Sequence, residues 1–231
     1  KIIQPDDWHV HLRDQDALSL TVADTARTMG RAIVMPNLKP PVTTVAAAMA
    51  YRERILSHRP AGNSFEPLMT LYLTPETSKS DIRGASKEKS IAAVKLYPAG
   101  ATTHSDAGVR DFTGLNPIFE TMQEEGLPLL LHGESTRKDI DIFDREAYFI
   151  EETLEGIVRL FDPGIALVIC LFNGRSNFCL VGLHFIFDLG NRFGTSLFLR
   201  VQFGLGAQMN LRQIVDSAAG LLCLSDSIKS L

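Results

Sequence analysis

The chain has 231 residues, 45% hydrophobic and 22% charged, which is the balance of a globular protein long enough to bury one substantial core. Its net charge of -4 supplies no basic footprint for nucleic acid, so that partner is excluded, and small anionic ligands must be met by locally placed cations. No run approaches the roughly 20 apolar residues that cross a bilayer, so no membrane partner is expected either.

Three cysteines without paired spacing fit a reducing compartment better than a disulfide framework, and a cytoplasmic setting is expected. The chain opens at Lys1 without a methionine, so targeting is not read from its start, and an organelle stays open if a presequence has been removed.

In chain order, residues 2–13 read as the first strand. The period of two puts His9, His11 and Arg13 on one face and Val10 and Leu12 on the other. Two imidazoles placed this way can share a divalent metal, and an arginine one step further out can hold an anion; a bare His-x-His equally fits an ordinary surface strand. Residues 16–30 read as a helix, with Leu18, Val22, Ala26 and Met29 at helical spacing and Gly30 as the stop. A short apolar strand over 31–35 ends in Pro36-Asn37, and Thr43 or Thr44 can cap a second helix running through Tyr51 to Leu56. Strands follow over 65–73 and 90–97, a helix over 115–125 stopped by Gly126, a strand over 128–132, and a helix over 142–154.

Apolar strands alternating with amphipathic helices mean a parallel sheet, either doubly wound or closed as a barrel. His9, His11, Asn37, Lys95 and His132 fall at or near the C-terminal ends of different predicted strands, where barrel enzymes place their chemistry. No glycine-rich turn follows the first strand, as a dinucleotide-binding sheet would require, so a barrel is expected.

Lys95, in Ala92-Ala93-Val94-Lys95-Leu96-Tyr97, lies in a strand too apolar for a surface, and an isolated charge there is costly. Desolvation favours the neutral amine, which can react with carbon dioxide to give a carbamate; pairing with an acid or snorkelling out of the barrel mouth is the plainer reading. His132, closing Leu129-Leu130-Leu131, likewise reads as a metal ligand or as a satisfied core histidine. His58 and His104 read as surface residues.

The segments Pro5-Asp6-Asp7-Trp8-His9-Val10-His11-Leu12-Arg13-Asp14, Arg31-Ala32-Ile33-Val34-Met35-Pro36-Asn37-Leu38-Lys39-Pro40-Pro41-Val42-Thr43-Thr44, Lys95-Leu96-Tyr97-Pro98-Ala99-Gly100-Ala101-Thr102-Thr103, His132-Gly133-Glu134 and Asp141-Ile142-Phe143-Asp144-Arg145-Glu146 are the chain's most distinctive runs. In this order and approximate spacing they resemble the monofunctional dihydroorotases of the amidohydrolase superfamily.

The resemblance implies a (β/α)8 TIM-type barrel with two zinc ions and the reversible cyclisation of N-carbamoyl-L-aspartate to L-dihydroorotate in pyrimidine (UMP) biosynthesis. By position, His9 and His11 would bind one zinc, Lys95 as N6-carboxylysine would bridge both, and His132 would bind the second. Arg13 and Asn37 would hold the substrate carboxylate, and Thr102 and Thr103 would sit in a loop that closes over it. A metal makes water nucleophilic near neutral pH and polarises the amide carbonyl that is attacked. A homodimer is compatible with the resemblance. Another cyclic amidohydrolase, or a non-catalytic fragment, remains the alternative.

The likeness stops near Asp162, which divides the chain into residues 1–162, the N-terminal part of a metal-dependent barrel, and an atypical C-terminal segment, residues 163–231. The family calls for a zinc-binding histidine after the sixth strand, and Leu167-Val168-Ile169-Cys170-Leu171-Phe172 offers only Cys170 there. His184 is no better candidate. A late aspartate, ligand and general base in the family, is echoed only weakly by Asp226 in Leu224-Ser225-Asp226-Ser227.

Only 8 charged residues fall in residues 164–231, and no glutamate follows Glu155, so composition changes where the likeness ends. A replaced tail, such as a frame-shifted or intron-read-through translation, accounts for this, with lineage divergence as the alternative. An incomplete barrel, open edges, weak binding of the second zinc and low activity are the resulting expectations.

Overall fold

The computed structural model describes residues 4–154 and 157 and, beyond them, the backbone of three strands. Among the described residues, six parallel strands form one sheet in strict chain order: β1 (Asp6–Val10), β2 (Arg31–Val34), β3 (Glu66–Leu73), β4 (Ile91–Leu96), β5 (Leu129–His132) and β6 (Leu167–Cys170). The helices α1 (Leu18–Thr28), α2 (Val45–Ser57), α3 (Lys79–Lys87) and α4 (Asn116–Glu124) occupy the first four crossovers. The short α5 (Arg145–Phe149) follows β5 and runs into a π-helical turn, Ile150–Leu154. A doubly wound sheet reverses its strand order at a switch point, and this one does not. Sequential order with a helix in each crossover is the wall of a barrel.

Strand alternation sorts the buried side chains into two layers. Ala32, Val34, Met69, Leu71, Val94, Leu96, Leu129 and Leu131 share one apolar cluster with residues of all four long helices, including Val22, Ile55, Ile82 and Phe119. The intervening Ile33, Met35, Ala93 and Leu130 form a second cluster with Trp8 and Leu68. Helices therefore cover one face of the sheet, while the other curls around a small apolar plug, as in a barrel interior. Thr70, Tyr72, Lys95, Tyr97 and His132 occupy the same alternating set as this plug, nearer the C-terminal strand ends.

Several elements differ from their sequence reading. β1 ends at Val10 rather than Arg13, because the chain turns sharply and Arg13 and Gln15 take positive φ (62° and 55°). Thr44 is the cap of α2, its hydroxyl accepting the Ala47 N–H at 3.2 Å. Helix α3 was not visible in the pattern, since it buries only Ile82 and Ala85; a capping box of Ser78 and Asp81 is its one clear signal. The helix expected over 142–154 begins only at Arg145, leaving Ile142 and Phe143 exposed in the preceding loop.

In the segment 163–231, the backbones of β7 (Cys179–Phe185) and β8 (Leu197–Phe203) pair antiparallel, which no periodicity in this region announced. Apart from the β6 backbone, the remainder of that segment, with Asp226, lies outside the described residues, as do the side chains of Cys170 and His184. Among the described residues no helix is long and apolar enough to cross a membrane.

Candidate metal centre

A register shift places one extra residue of β1 between Asp7 and Val10 against β2, where Val10 faces Val34. Such a bulge re-aims side chains, and here the Asp7 carboxylate supports it by accepting the His9 N–H at 2.9 Å. Val10 and Leu12 pack into the helix-side core, which leaves His9 and His11 on the interior side. Their Nε2 atoms converge to 3.0 Å. Two nitrogens bound at about 2.0–2.1 Å to one tetrahedral zinc lie about 3.3 Å apart, so the pair is preset for a shared ion.

Both imidazoles are neutral at physiological pH. Burial, then the charge of Lys95 and the neighbouring histidines, pushes His9 down to about 2. Burial, then Arg13 and Lys95, pushes His11 down to about 4. Neutral imidazoles keep the lone pairs that a metal requires.

Lys95 is 0% exposed and His132 3% exposed, on adjacent strands whose register sets Lys95 beside Leu130. The Lys95 charge is among the causes that lower His9, His11 and His132, so the ammonium group sits in common electrostatic range of all three rings. Tyr97, two residues on from Lys95, links them, with its ring centroid 5.0 Å from Lys95 Nζ and 5.9 Å from the His132 ring. Nitrogens from three strands thus gather at one barrel mouth. Among the described residues no three His, Cys, Asp or Glu side chains form a ready-made metal site. A metal held by these nitrogens would need a further anionic ligand, and a carbamate on Lys95 would have that chemistry. β6 brings the Cys170 backbone into register with His132, at the strand end where the missing histidine was expected.

Arg13 is positioned from outside. The Tyr51 hydroxyl donates to the Arg13 carbonyl, while Asp14 accepts from Arg54 through both carboxylate oxygens, at 2.9 and 2.7 Å. These contacts hold a left-handed turn that an arginine seldom adopts. Nη1 of Arg13 is buried without a hydrogen-bond partner among the described residues, a cost that an incoming acceptor would relieve.

The Arg54 hydrogen bond holds the Asp14 carboxyl below the usual carboxylate range, against burial. A depressed folded-state pKa stabilises above the unfolded value and is lost as pH falls through the folded one. Asp14→Asn is therefore expected to lower the melting temperature at neutral pH, with the gap to wild type closing in acid. A gap unchanged between neutral and acid pH contradicts this.

Asn37, 2% exposed, ties the site to the loop after β4. Its Nδ2 donates to the Thr103 carbonyl at 2.8 Å, and its Oδ1 accepts from the Tyr97 hydroxyl at 3.2 Å. The Thr102 backbone is tied to Ser105, whose hydroxyl donates to the Thr102 carbonyl at 2.6 Å. His104 was expected at the surface but is half-buried, with Nδ1 donating to the Asn37 carbonyl at 3.3 Å; a left-handed backbone (φ 57°) carries it there. His58 closes α2, donating to the Arg54 carbonyl at 2.8 Å, and stands apart from this centre. Sequence reasoning gave no role to Tyr51, Tyr97, Glu134 or Arg145. The Tyr51 and Tyr97 hydroxyl contacts span 38 and 60 residues, which no local pattern encodes, whereas Glu134 meets His132 only two residues away and Arg145 eleven residues on.

A sequential parallel barrel wall with histidines and a buried lysine at its mouth is the TIM-barrel fold of the amidohydrolases. No family model matches the chain. The dihydroorotase of Ralstonia nicotianae is 58% identical over 167 residues, 72% of this chain and 48% of that protein. That of Azotobacter vinelandii is 59% identical over 160 residues, 69% and 46% respectively. Among solved structures, dihydroorotase from Campylobacter jejuni aligns with a TM-score of 0.65 at 38% identity, covering 72% of this chain and 47% of the other. Saccharomyces cerevisiae dihydroorotase in complex with 5-fluoroorotic acid aligns at 0.64 and 34%, covering 71% and 46%. An L-hydantoinase from Arthrobacter aurescens, at 17% identity and a TM-score of 0.54 over 72% of this chain and 41% of the other, shares the fold. Over the matched length the chain is a dihydroorotase homologue, and it spans about half the length of the curated relatives it matches.

Proposed function

We propose that the barrel mouth is a two-zinc centre for the interconversion of L-dihydroorotate and N-carbamoyl-L-aspartate, a cyclic-amide hydrolysis belonging to pyrimidine biosynthesis. The observation that carries this reading is the 3.0 Å approach of two neutral imidazole nitrogens, with Lys95 and His132 buried beside them. His9 and His11 would hold one ion and His132 a second, and Lys95, as a carbamate, would supply the anionic ligand between them. When bound, zinc supplies a nucleophile from water at neutral pH and polarises the ring carbonyl.

The other residues bind and orient. Arg13 offers its buried guanidinium to the substrate carboxylate, in a fork geometry that fits carboxylates. Asn37 lies beside His11 and carries the loop containing Thr102 and Thr103. Through it, carboxylate binding and loop position share one side chain. The general base expected from the family has no counterpart among the described residues, since Asp226 lies outside them.

The test is hydrolysis of L-dihydroorotate by the purified chain loaded with zinc and bicarbonate, beside dihydrouracil, which lacks the carboxylate. Zinc-dependent turnover is expected, slower than that of full-length relatives. It should be lost in His9→Ala, while Arg13→Met raises KM for dihydroorotate about 10-fold or more, as losing a charged hydrogen bond of about 1.5–3 kcal/mol implies. A chain that takes up no zinc, or that turns over both substrates equally, contradicts the proposal.

A further inference from the structure

We propose that Tyr97 is a positioning residue for carboxylate selectivity: its hydroxyl donates to Asn37 Oδ1 and so keeps the NH2 of that carboxamide turned toward an incoming carboxylate. The inference rests on the reading above, in which Asn37 takes part in carboxylate binding, and adds a residue that acts through it. Tyr97 follows β4 and Asn37 follows β2, 60 residues apart in sequence, yet the hydroxyl lies 3.2 Å from Oδ1. Both side chains are buried, at 1% and 2% exposure. On the other side of the carboxamide, Nδ2 donates to the Thr103 carbonyl at 2.8 Å. A carbonyl can only accept, so Nδ2 faces Thr103, Oδ1 faces Tyr97, and the tyrosine hydroxyl is the donor.

Packing aims that hydroxyl. The Tyr97 ring centroid lies 5.1 Å from that of Tyr72 and 5.9 Å from that of His132, and the Tyr97 carbonyl accepts the Val109 N–H at 2.9 Å. Tyr72, itself 0% exposed, is tied to the segment that carries Asn37, because its N–H donates to the Val42 carbonyl at 2.7 Å. The two partners of the carboxamide then have different duties. Thr103 belongs to the loop after β4, and a carboxylate that takes Nδ2 from its carbonyl leaves the Tyr97 contact in place. The terminal torsion of an asparagine is soft and roughly two-fold, so a carboxamide without a fixed partner turns its oxygen as readily as its nitrogen to a ligand. The nitrogen offers hydrogens to an anion, whereas the oxygen repels it. A ligand without a carboxylate is indifferent to the choice.

The alternative is that Tyr97 only ties the end of β4 to the end of β2. Titration calorimetry of the zinc-loaded full chain, with L-dihydroorotate and with dihydrouracil, separates the two readings. Tyr97→Phe keeps the ring and removes only the hydroxyl. It is expected to weaken binding of dihydroorotate about 2–10-fold, the worth of one neutral hydrogen bond, and to leave dihydrouracil unchanged. In an Asn37→Ala background the same substitution should add no further loss, because the residue through which it acts is gone. The orientation itself is read in the metal-free protein by nuclear Overhauser contacts of the Asn37 NH2 protons, identified by their disappearance in Asn37→Ala. They should lie against Thr103 in the wild type, and these contacts should weaken in Tyr97→Phe.

Asn37 NH2 protons lying against the Tyr97 hydroxyl in the wild type overturn the proposal. So does unchanged dihydroorotate binding in Tyr97→Phe, or a loss that persists in full in the Asn37→Ala background. Equal loss for both ligands with a lowered melting temperature is the signature of a structural tie and overturns it as well. A wild-type chain that binds neither ligand, or both equally, yet holds the NH2 against Thr103 and loses that contact in Tyr97→Phe, upholds the positioning and sinks the carboxylate reading instead.

Discussion

Lys95→Met is expected to abolish tight zinc uptake while leaving the melting temperature unchanged or slightly raised. Methionine keeps the unbranched stem and the volume, and replacing a fully buried charge by an apolar side chain is often neutral or stabilising. Binding of structural zinc is worth about 10–16 kcal/mol over four ligands, or about 3 kcal/mol for each, so losing the bridging ligand should weaken binding by about 100-fold. Bicarbonate supplies the carbamate, so it should raise zinc uptake by the wild-type chain and have no effect on the variant. Chelator-competition titrations with and without bicarbonate check this. If Lys95 instead neutralises a buried carboxylate, the same substitution strands that charge, costs about 3–5 kcal/mol of stability and leaves zinc binding untouched.

Gly108→Ala is expected to release the loop that Asn37 holds. A Cβ at this position would lie 2.3 Å from the Tyr97 carbonyl oxygen, 2.9 Å from the Ser105 carbonyl oxygen and 3.1 Å from the Ala99 nitrogen. All three are backbone atoms, so no side-chain rotation relieves the overlap. The displaced contacts include the bridge in which Val109 N donates to the Tyr97 carbonyl and Ala99 N donates to the Val109 carbonyl, both at 2.9 Å. Overpacking of this kind costs about 1–3 kcal/mol. At about 2–4 °C for each kcal/mol, the melting temperature should fall by several degrees. Trypsin should then cut faster after the exposed Arg110. Gly114→Ala is the control, because a Cβ there meets nothing within 4 Å. Equal cutting of both variants and the wild type contradicts the account.

The barrel wall was legible because parallel strands buried on both faces read as apolar runs, and the polar exceptions stood out against them. Lys95 within Ala92-Ala93-Val94 and His132 after three leucines are such exceptions, and both are buried at strand ends. Asn37, after Met35-Pro36, was found in the same way. Less legible were features that depend on tertiary partners. The early end of β1 follows from a turn held by Tyr51 and by Asp14 with Arg54, across 38 and 40 residues of sequence. Helix α3 escaped notice because only two of its side chains are buried, too few to mark a helical stripe. The contact between Glu134 and Arg145 needed the fold of the loop between them, although both lie within runs that the sequence already marked as distinctive. The β7–β8 pair breaks the alternation of strand and helix that made the earlier elements readable.

The central claim is that nitrogens of His9, His11, Lys95 and His132 converge on a common pair of ions. Diffraction at the zinc absorption edge, from crystals of the full chain grown with zinc and bicarbonate, tests it most directly. The account predicts two anomalous peaks, one at the Nε2 atoms of His9 and His11 and one at His132, with carbamate density extending from Lys95 Nζ between them. A single peak away from these residues, or an unmodified Lys95 with zinc bound elsewhere, would contradict it.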